Sequence, residues 1–172
     1  MKIFLTGFMA CGKSYLGREL SRVLSLNFID LDKYIEEKEQ LSVNEIFALY
    51  GEGKFRQLES RALYNIIKEK EEFILATGGG TILLPENREL MDLEGIRVFL
   101  DTPVDILNER LKKETVVRPL LKNISLDSLE NYILKEMEKR FKYYNSAPII
   151  VKHNADEEKL IENIIIELNK YQ

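Results

Sequence analysis

Short apolar runs rich in Ile, Phe, Leu and Val recur along the chain: "KIFLT" (2–6), "NFID" (27–30), "EFILAT" (72–77), "IRVFL" (96–100) and "PIIVK" (148–152). Longer segments of helical spacing separate them. Alternation of this kind predicts five strands in a parallel sheet joined by crossover helices. Several helix boundaries are also written locally. "SVNE" (42–45) has the spacing of a capping box, with Ser42 accepting from first-turn amides and Glu45 reaching back. "DTPVDILNERL" (101–111) sets Thr102 at an N-cap and Pro103 at the first helical position, where a missing N–H costs nothing. A helical segment is predicted from about residue 125 through "LDSLENYILKEMEKRFKYYN", and a last amphipathic helix over residues 156–171. Without a repeat, linker or low-complexity tract, the chain reads as one α/β domain spanning residues 1–172.

Composition narrows the class. Of 172 residues, 45% are hydrophobic and 31% charged, an ordinary globular balance. No run approaches the ~18 apolar residues that span a bilayer, so no membrane role is expected. The net charge of −4 and the absence of a basic stripe disfavour nucleic acid as a partner. "MKIFLTGF" lacks the h-region and cleavage site of a secretory signal, which points to the cytoplasm. One cysteine, Cys11, excludes an internal disulfide framework and a Cys-based zinc cage, and leaves no resolving partner for a thiol switch.

The candidate chemistry begins at "GFMACGKS" (7–14), which fits G-x-x-x-x-G-K-[ST] between a strand and a helix. Gly7 and Gly12 let the backbone curl so that successive N–H groups face phosphate oxygens, assisted by the positive end of the following helix. Lys13 then reaches the β- and γ-phosphates, and Ser14 presents its hydroxyl to Mg²⁺. Triphosphate binding alone does not name a reaction, because switches, motors and small-molecule kinases share the loop.

Four further places carry candidates. "FIDLD" puts Asp30 and Asp32 two apart on the second strand, on one side and at its carboxyl end, where open parallel sheets bind ligands. One carboxylate suits hydrated Mg²⁺ and the other a substrate hydroxyl, although the same pair also suits the start of the next helix. In "GEGKFRQLES" (51–60), Gly51 and Gly53 break one helix and Arg56 opens another. Glu59 lies one turn on, a spacing that fits either a braced anion receptor or a plain surface ion pair. Gly78, Gly79 and Gly80 follow the third strand, where three glycines imply close approach of backbone to a ligand or a tight turn. "KKETVVRPLLKN" (112–123) reads as a lid whose Arg118 closes over phosphate, or as a helix connection. Arg140 is by itself one more helical arginine.

Taken in order and with these separations, "GFMACGKS", "FIDLD", "GEGKFRQLE", "TGGG" and "RPLL" resemble shikimate kinase over nearly the whole chain. The resemblance implies transfer of the ATP γ-phosphoryl to the 3-hydroxyl of shikimate, on the route to chorismate and the aromatic amino acids. It implies a three-layer fold with a five-stranded sheet in order 2-3-1-4-5, a substrate-binding segment near residues 32–60 and a lid near 112–123. ATP is the implied co-substrate, Mg²⁺ the cofactor, shikimate the partner, and a monomer the expected state.

Residue by residue, it assigns nucleotide contacts to Gly7, Ala10, Cys11, Gly12, Lys13, Ser14 and Tyr15, with Arg110 near adenine. Lys13, Asp32 and Arg118 become catalytic. Ser14 binds Mg²⁺ directly and Asp30 through water, taking the duty of the acidic strand end that "ATGGG" replaces. Asp32 receives the substrate hydroxyls as base, Arg56 and Arg140 grip the carboxylate, and Gly78, Gly79 and Gly80 offer backbone contacts. Ala10 stands where a glycine is common. The stretch "VKHNADEEK" (151–159), which should border adenine, lacks an acidic residue expected there, and His153 reads as solvated. The alternatives are another small-molecule P-loop kinase, such as a gluconate-type enzyme, and a non-catalytic nucleotide-binding module. Arg56, Arg140 and the glycine turn favour an anionic acceptor over the first, and Asp32 and Arg118 disfavour the second.

Overall fold

The structure is a computed structural model and describes residues 1–114, 118–152 and 157–171, the side chains of Glu157 and Glu158 excepted. All five apolar runs form strands: β1 (Lys2–Thr6), β2 (Phe28–Asp30), β3 (Phe73–Ala76), β4 (Ile96–Asp101) and β5 (Ile149–Lys152). They pair in parallel in the order β2-β3-β1-β4-β5. Parallel strands need long crossovers, and the intervening helices supply them. These are α1 (Lys13–Leu24), α2 (Leu31–Glu39), α3 (Val43–Glu69), α4 (Pro85–Glu94), α5 (Val104–Lys113), α6 (Leu129–Tyr144) and α7 (Glu157–Leu168).

The period-two geometry of strands divides the core in two. Ile3 and Leu5 of β1, with Val98 and Leu100 of β4, pack on one face against α1, α5, α6 and α7. Phe4, Phe73, Leu75 and Phe99 pack on the other against α2, α3 and α4. Both faces are covered over the central strands β1, β3 and β4, which is why these read as near-continuous apolar runs, whereas the edge strand β5 alternates buried and exposed residues. The order also separates β1 and β2 by β3, so the chain reverses direction beside β1, and the carboxyl ends of β1, β2 and β3 open onto one crevice.

Local expectations meet the structure with two shifts. Ser42 and Glu45 form the capping box in full. Helix α5 starts one residue later than the sequence suggests: Pro103 is the N-cap, and the Thr102 hydroxyl turns inward to donate to the Cys11 carbonyl. Gly51 is non-helical (φ 75°, ψ 174°) and divides α3 into two helices that meet at a kink, with Arg56 near the start of the second, as the sequence suggests. Asp32 is not on β2. The strand ends at Asp30, which caps α2, and Asp32 occupies the first turn of that helix. A three-residue strand leaves no room for the two-residue alternation assumed for the pair.

Candidate active site

The loop between β1 and α1 is shaped by three residues with positive φ: Gly7 (145°), Ala10 (62°) and Gly12 (99°). A left-handed alanine costs about 1–2 kcal/mol, so the loop holds Ala10 against its preference. Gly12 caps α1 without any side-chain hydrogen bond, and the first turn carries no acid. Its free amides and helix dipole therefore favour an anion. Lys13 Nζ donates to the carbonyls of Gly7 (2.9 Å) and Phe8 (2.8 Å) and lies 3.5 Å from Cys11 Sγ, which holds the ammonium above the loop. Cys11 is buried beneath it. Arg110 of α5 donates to the Ala10 carbonyl at 3.2 Å, bracing the strained residue, and Tyr15 stands half-exposed at the rim.

Ser14 Oγ donates to Asp30 Oδ2 at 2.6 Å, joining the start of α1 to the end of β2. Asp30 also accepts a long 3.4 Å bond from the Lys33 amide, so the capping alternative describes part of its role in the fold. Asp32 is different. Its Oδ1 is buried without a hydrogen-bond partner among the described residues. Desolvation, followed by the nearby charges of Glu59 and Asp30, raises its pKa from 3.8 to about 6, with Lys13 and Arg118 opposing. An unpartnered carboxylate poised near neutrality is a fit acceptor for a hydroxyl proton.

The glycine turn after β3 serves neighbours first. None of Gly78, Gly79 and Gly80 has positive φ, so conformational freedom is not their reason. A Cβ at Gly78 would lie 2.1 Å from Glu59 Oε1, and one at Gly80 would lie 2.4 Å from Arg56 Cζ. The glycines make room for a buried ion pair where the sequence suggested room for ligand. Arg56 binds Glu59 through Nη1 and Glu52 through Nη2 at 2.9 Å. Glu59 is fully buried, and its second oxygen accepts from Thr81 Oγ1 at 2.6 Å. Breaking such a pair costs about 3–5 kcal/mol, so Arg56 is held firmly.

Arg140 comes from α6, on the buried face shared by Leu129, Ile133 and Tyr144. Its guanidinium lies 5.3 Å over the Phe8 ring and binds Glu136 at 2.5 Å. Nη1 is buried with no partner among the described residues. Arg140, with one unpartnered donor, and Asp32, with one unpartnered acceptor, line the same cleft. Arg118 is held by Glu114 through bonds of 2.7 and 2.8 Å. Residues 115–117 of the expected lid, and His153 with 154–156 of the expected adenine border, lie outside the described residues.

These groups form two joined clefts. One, of about 510 Å³, is lined by Gly12, Lys13, Tyr15 and Arg110. The other, of about 660 Å³, is lined by Arg56, Glu59, Gly80 and Arg140. Ser14, Asp30, Asp32 and Arg118 belong to both, at the junction. Sequence reasoning missed Thr81, Glu136 and Tyr144, which hold the named residues from behind; helical spacing on α6 was the one available signal, since it sets Arg140 on the apolar stripe.

A phosphate-binding loop on a five-stranded parallel sheet, beside a second cleft that presents Arg56 and Arg140, defines the class of P-loop kinases for small molecules. The Shikimate kinase family model matches residues 9–169, and the chain belongs to the shikimate kinase family. A shikimate kinase of Bacteroides thetaiotaomicron is 41% identical over 91% of this chain and 88% of its own. Among solved structures, shikimate kinase from the same species superposes with a TM-score of 0.90 at 36% identity, covering 98% of both chains. Shikimate kinase from Acinetobacter baumannii in complex with shikimate gives a TM-score of 0.91 at 31% identity, covering 99% of this chain and 94% of that one.

Proposed function

We propose that this protein phosphorylates the 3-hydroxyl of shikimate with ATP, giving shikimate 3-phosphate and ADP in the biosynthesis of aromatic amino acids. The observation that carries this reading is the junction: Asp32, its pKa raised to about 6, stands where the phosphate cleft meets the cleft of Arg56 and Arg140.

In this reading the α1 amides and Lys13 hold the triphosphate, with Gly7, Ala10, Cys11 and Gly12 forming its cradle. Tyr15 and Arg110 flank the nucleoside. Arg56 and Arg140 grip the carboxylate of the acceptor, because paired guanidinia match a carboxylate in shape and charge. The Gly78–Gly80 backbone borders its ring. The acceptor oxygen bonds to the γ-phosphorus as the bond from that phosphorus to the β–γ bridging oxygen breaks, and the hydroxyl proton passes to Asp32. Arg118 and Lys13 offset charge on the transferred group.

Mg²⁺ suits the same junction. Its ligand set is oxygen, usually one or two protein groups completed by phosphate and water. Ser14 and Asp30 supply such a pair, and no group of three or more His, Cys, Asp and Glu among the described residues forms a closed metal cage. Ser14 would hold the ion directly and Asp30 through water, and the ion would neutralise phosphate charge.

The chain is further proposed to be one kinase domain over 1–172, monomeric and cytoplasmic, with the substrate segment at 32–60 and the lid at 112–123. No helix among the described residues is long and apolar enough to cross a membrane. ADP release by the purified protein with ATP and Mg²⁺, compared for shikimate, gluconate, quinate and no acceptor, tests the function. Stimulation by shikimate alone is expected; equal rates with all four would sink the proposal.

A further inference from the structure

Tyr144 is the last residue of α6, and its ring is fully buried, stacked on Phe99 of β4 with centroids 5.0 Å apart and planes 9° apart. Phenylalanine would serve that packing equally well, so the hydroxyl needs its own reason: a buried phenol is costly unless it is hydrogen-bonded. The hydroxyl donates to the Gly79 carbonyl, 65 residues away in sequence. Burial pushes its pKa up, against the charges of Arg140 and Arg56, so the phenol stays protonated. Its single proton is committed to that carbonyl.

The Gly79–Gly80 peptide is flanked by two residues without side chains and would otherwise rotate with little resistance. A planar trans peptide points its C=O and N–H in opposite directions. Holding the Gly79 carbonyl toward Tyr144 therefore turns the Gly80 N–H away from it, and that amide donates no hydrogen bond among the described residues. On the other side, a Cβ at Gly79 would lie 3.2 Å from the Met9 amide nitrogen, so the turn is wedged between the phosphate loop and Tyr144.

We propose that Tyr144 is a positioning residue for the acceptor: its hydroxyl locks the Gly79–Gly80 peptide and sets its spacing from Arg140 and Arg56. The carboxylate clamp and the backbone that borders the ring are thereby held in one geometry. The inference rests on the shikimate kinase reading.

Tyr144→Phe keeps the ring and its stacking and deletes only the oxygen. Steady-state kinetics with varied shikimate and varied ATP are expected to show the shikimate KM raised about tenfold, the loss of one hydrogen bond's worth of affinity, with the ATP KM moved less than twofold. In a cycle with Arg140→Lys, the two losses in kcat/KM for shikimate should combine to less than their product, since both act on one clamp. An unaltered shikimate KM, equal shifts in both KM values, or fully multiplicative losses would each overturn the inference. Wild-type turnover under the same conditions separates the two claims: active wild-type protein with an unaltered variant removes Tyr144 alone, whereas wild-type protein without shikimate-dependent turnover removes the functional reading as well.

Discussion

The phosphate cradle and the acceptor cleft solve the same problem, holding an anion, by opposite means. The cradle is eight consecutive residues whose donors are chiefly backbone amides, and its strain is local, at Ala10. The acceptor cleft draws Arg56 from α3, glycines from the turn after β3 and Arg140 from α6. There the cations are side chains that must be taken from water, so each needs a partner: Glu59 for Arg56 and Glu136 for Arg140. The cradle holds its one buried cation, Lys13, on the neutral carbonyls of Gly7 and Phe8, whereas the clamp holds its guanidinia on carboxylates from other turns of their helices. Damage to the first should therefore stay local, and damage to the second should spread.

The junction gives the largest test. Asp32→Asn is expected to lower kcat by about 10²–10⁴-fold with ATP binding nearly intact, read by steady-state turnover and a nucleotide titration. Unchanged turnover would remove Asp32 from the chemistry. Glu59→Ala leaves Arg56 without its buried partner and should cost about 3–5 kcal/mol in denaturant unfolding; a loss near zero would mean that the acceptor cleft is as self-contained as the cradle. Arg140→Ala should weaken shikimate binding by about 2–3 kcal/mol, with ATP affinity retained, in calorimetric titrations of each ligand. An unaltered shikimate affinity would place the clamp elsewhere.

Acidity provides a further contrast. The pKa of Asp32 is about 6 in the folded protein against 3.8 for the free side chain, so the folded state holds the proton more tightly. The stability linked to that proton is fully present below pH 3.8 and lost as pH rises through 6. Asp32→Asn should thus stabilise the protein by about 1–3 kcal/mol at pH 7.5 and by little at pH 4, measured by unfolding at both values. Shikimate turnover of the wild type should rise as pH increases through about 6. The smallest effect belongs to the cradle: Ala10→Gly relieves a left-handed alanine and should raise stability by no more than about 1 kcal/mol in thermal unfolding.

How readily each region is read from sequence follows the same division. The cradle is legible because its spacing, strand and helix lie within about twenty residues, and the three central strands, β1, β3 and β4, are legible because each is buried on both faces. Asp32 was misplaced on a strand because strand length depends on pairing with β3, which spans only residues 28–30 on the β2 side. Gly78 and Gly80 announced a close approach without saying to what; the side chains that crowd them sit some twenty residues upstream. Arg140 carried no local motif, and only its helical phase with Ile133 and Tyr144 marks it as buried. Tyr144 is one of two adjacent tyrosines, and nothing in "KYYN" shows which of them reaches Gly79.

By itself the sequence determined the strand and helix order, the phosphate loop and the family, because these depend on periodicity and on residues close together in the chain. The sharing of Asp32 and Arg118 between two clefts, the raised pKa of Asp32 and the bracing of the clamp by Glu59, Thr81 and Tyr144 were decided only by the tertiary structure. Each depends on burial and on distances between segments far apart in the chain, and those exist only once α3, the glycine turn and α6 meet at one edge of the sheet.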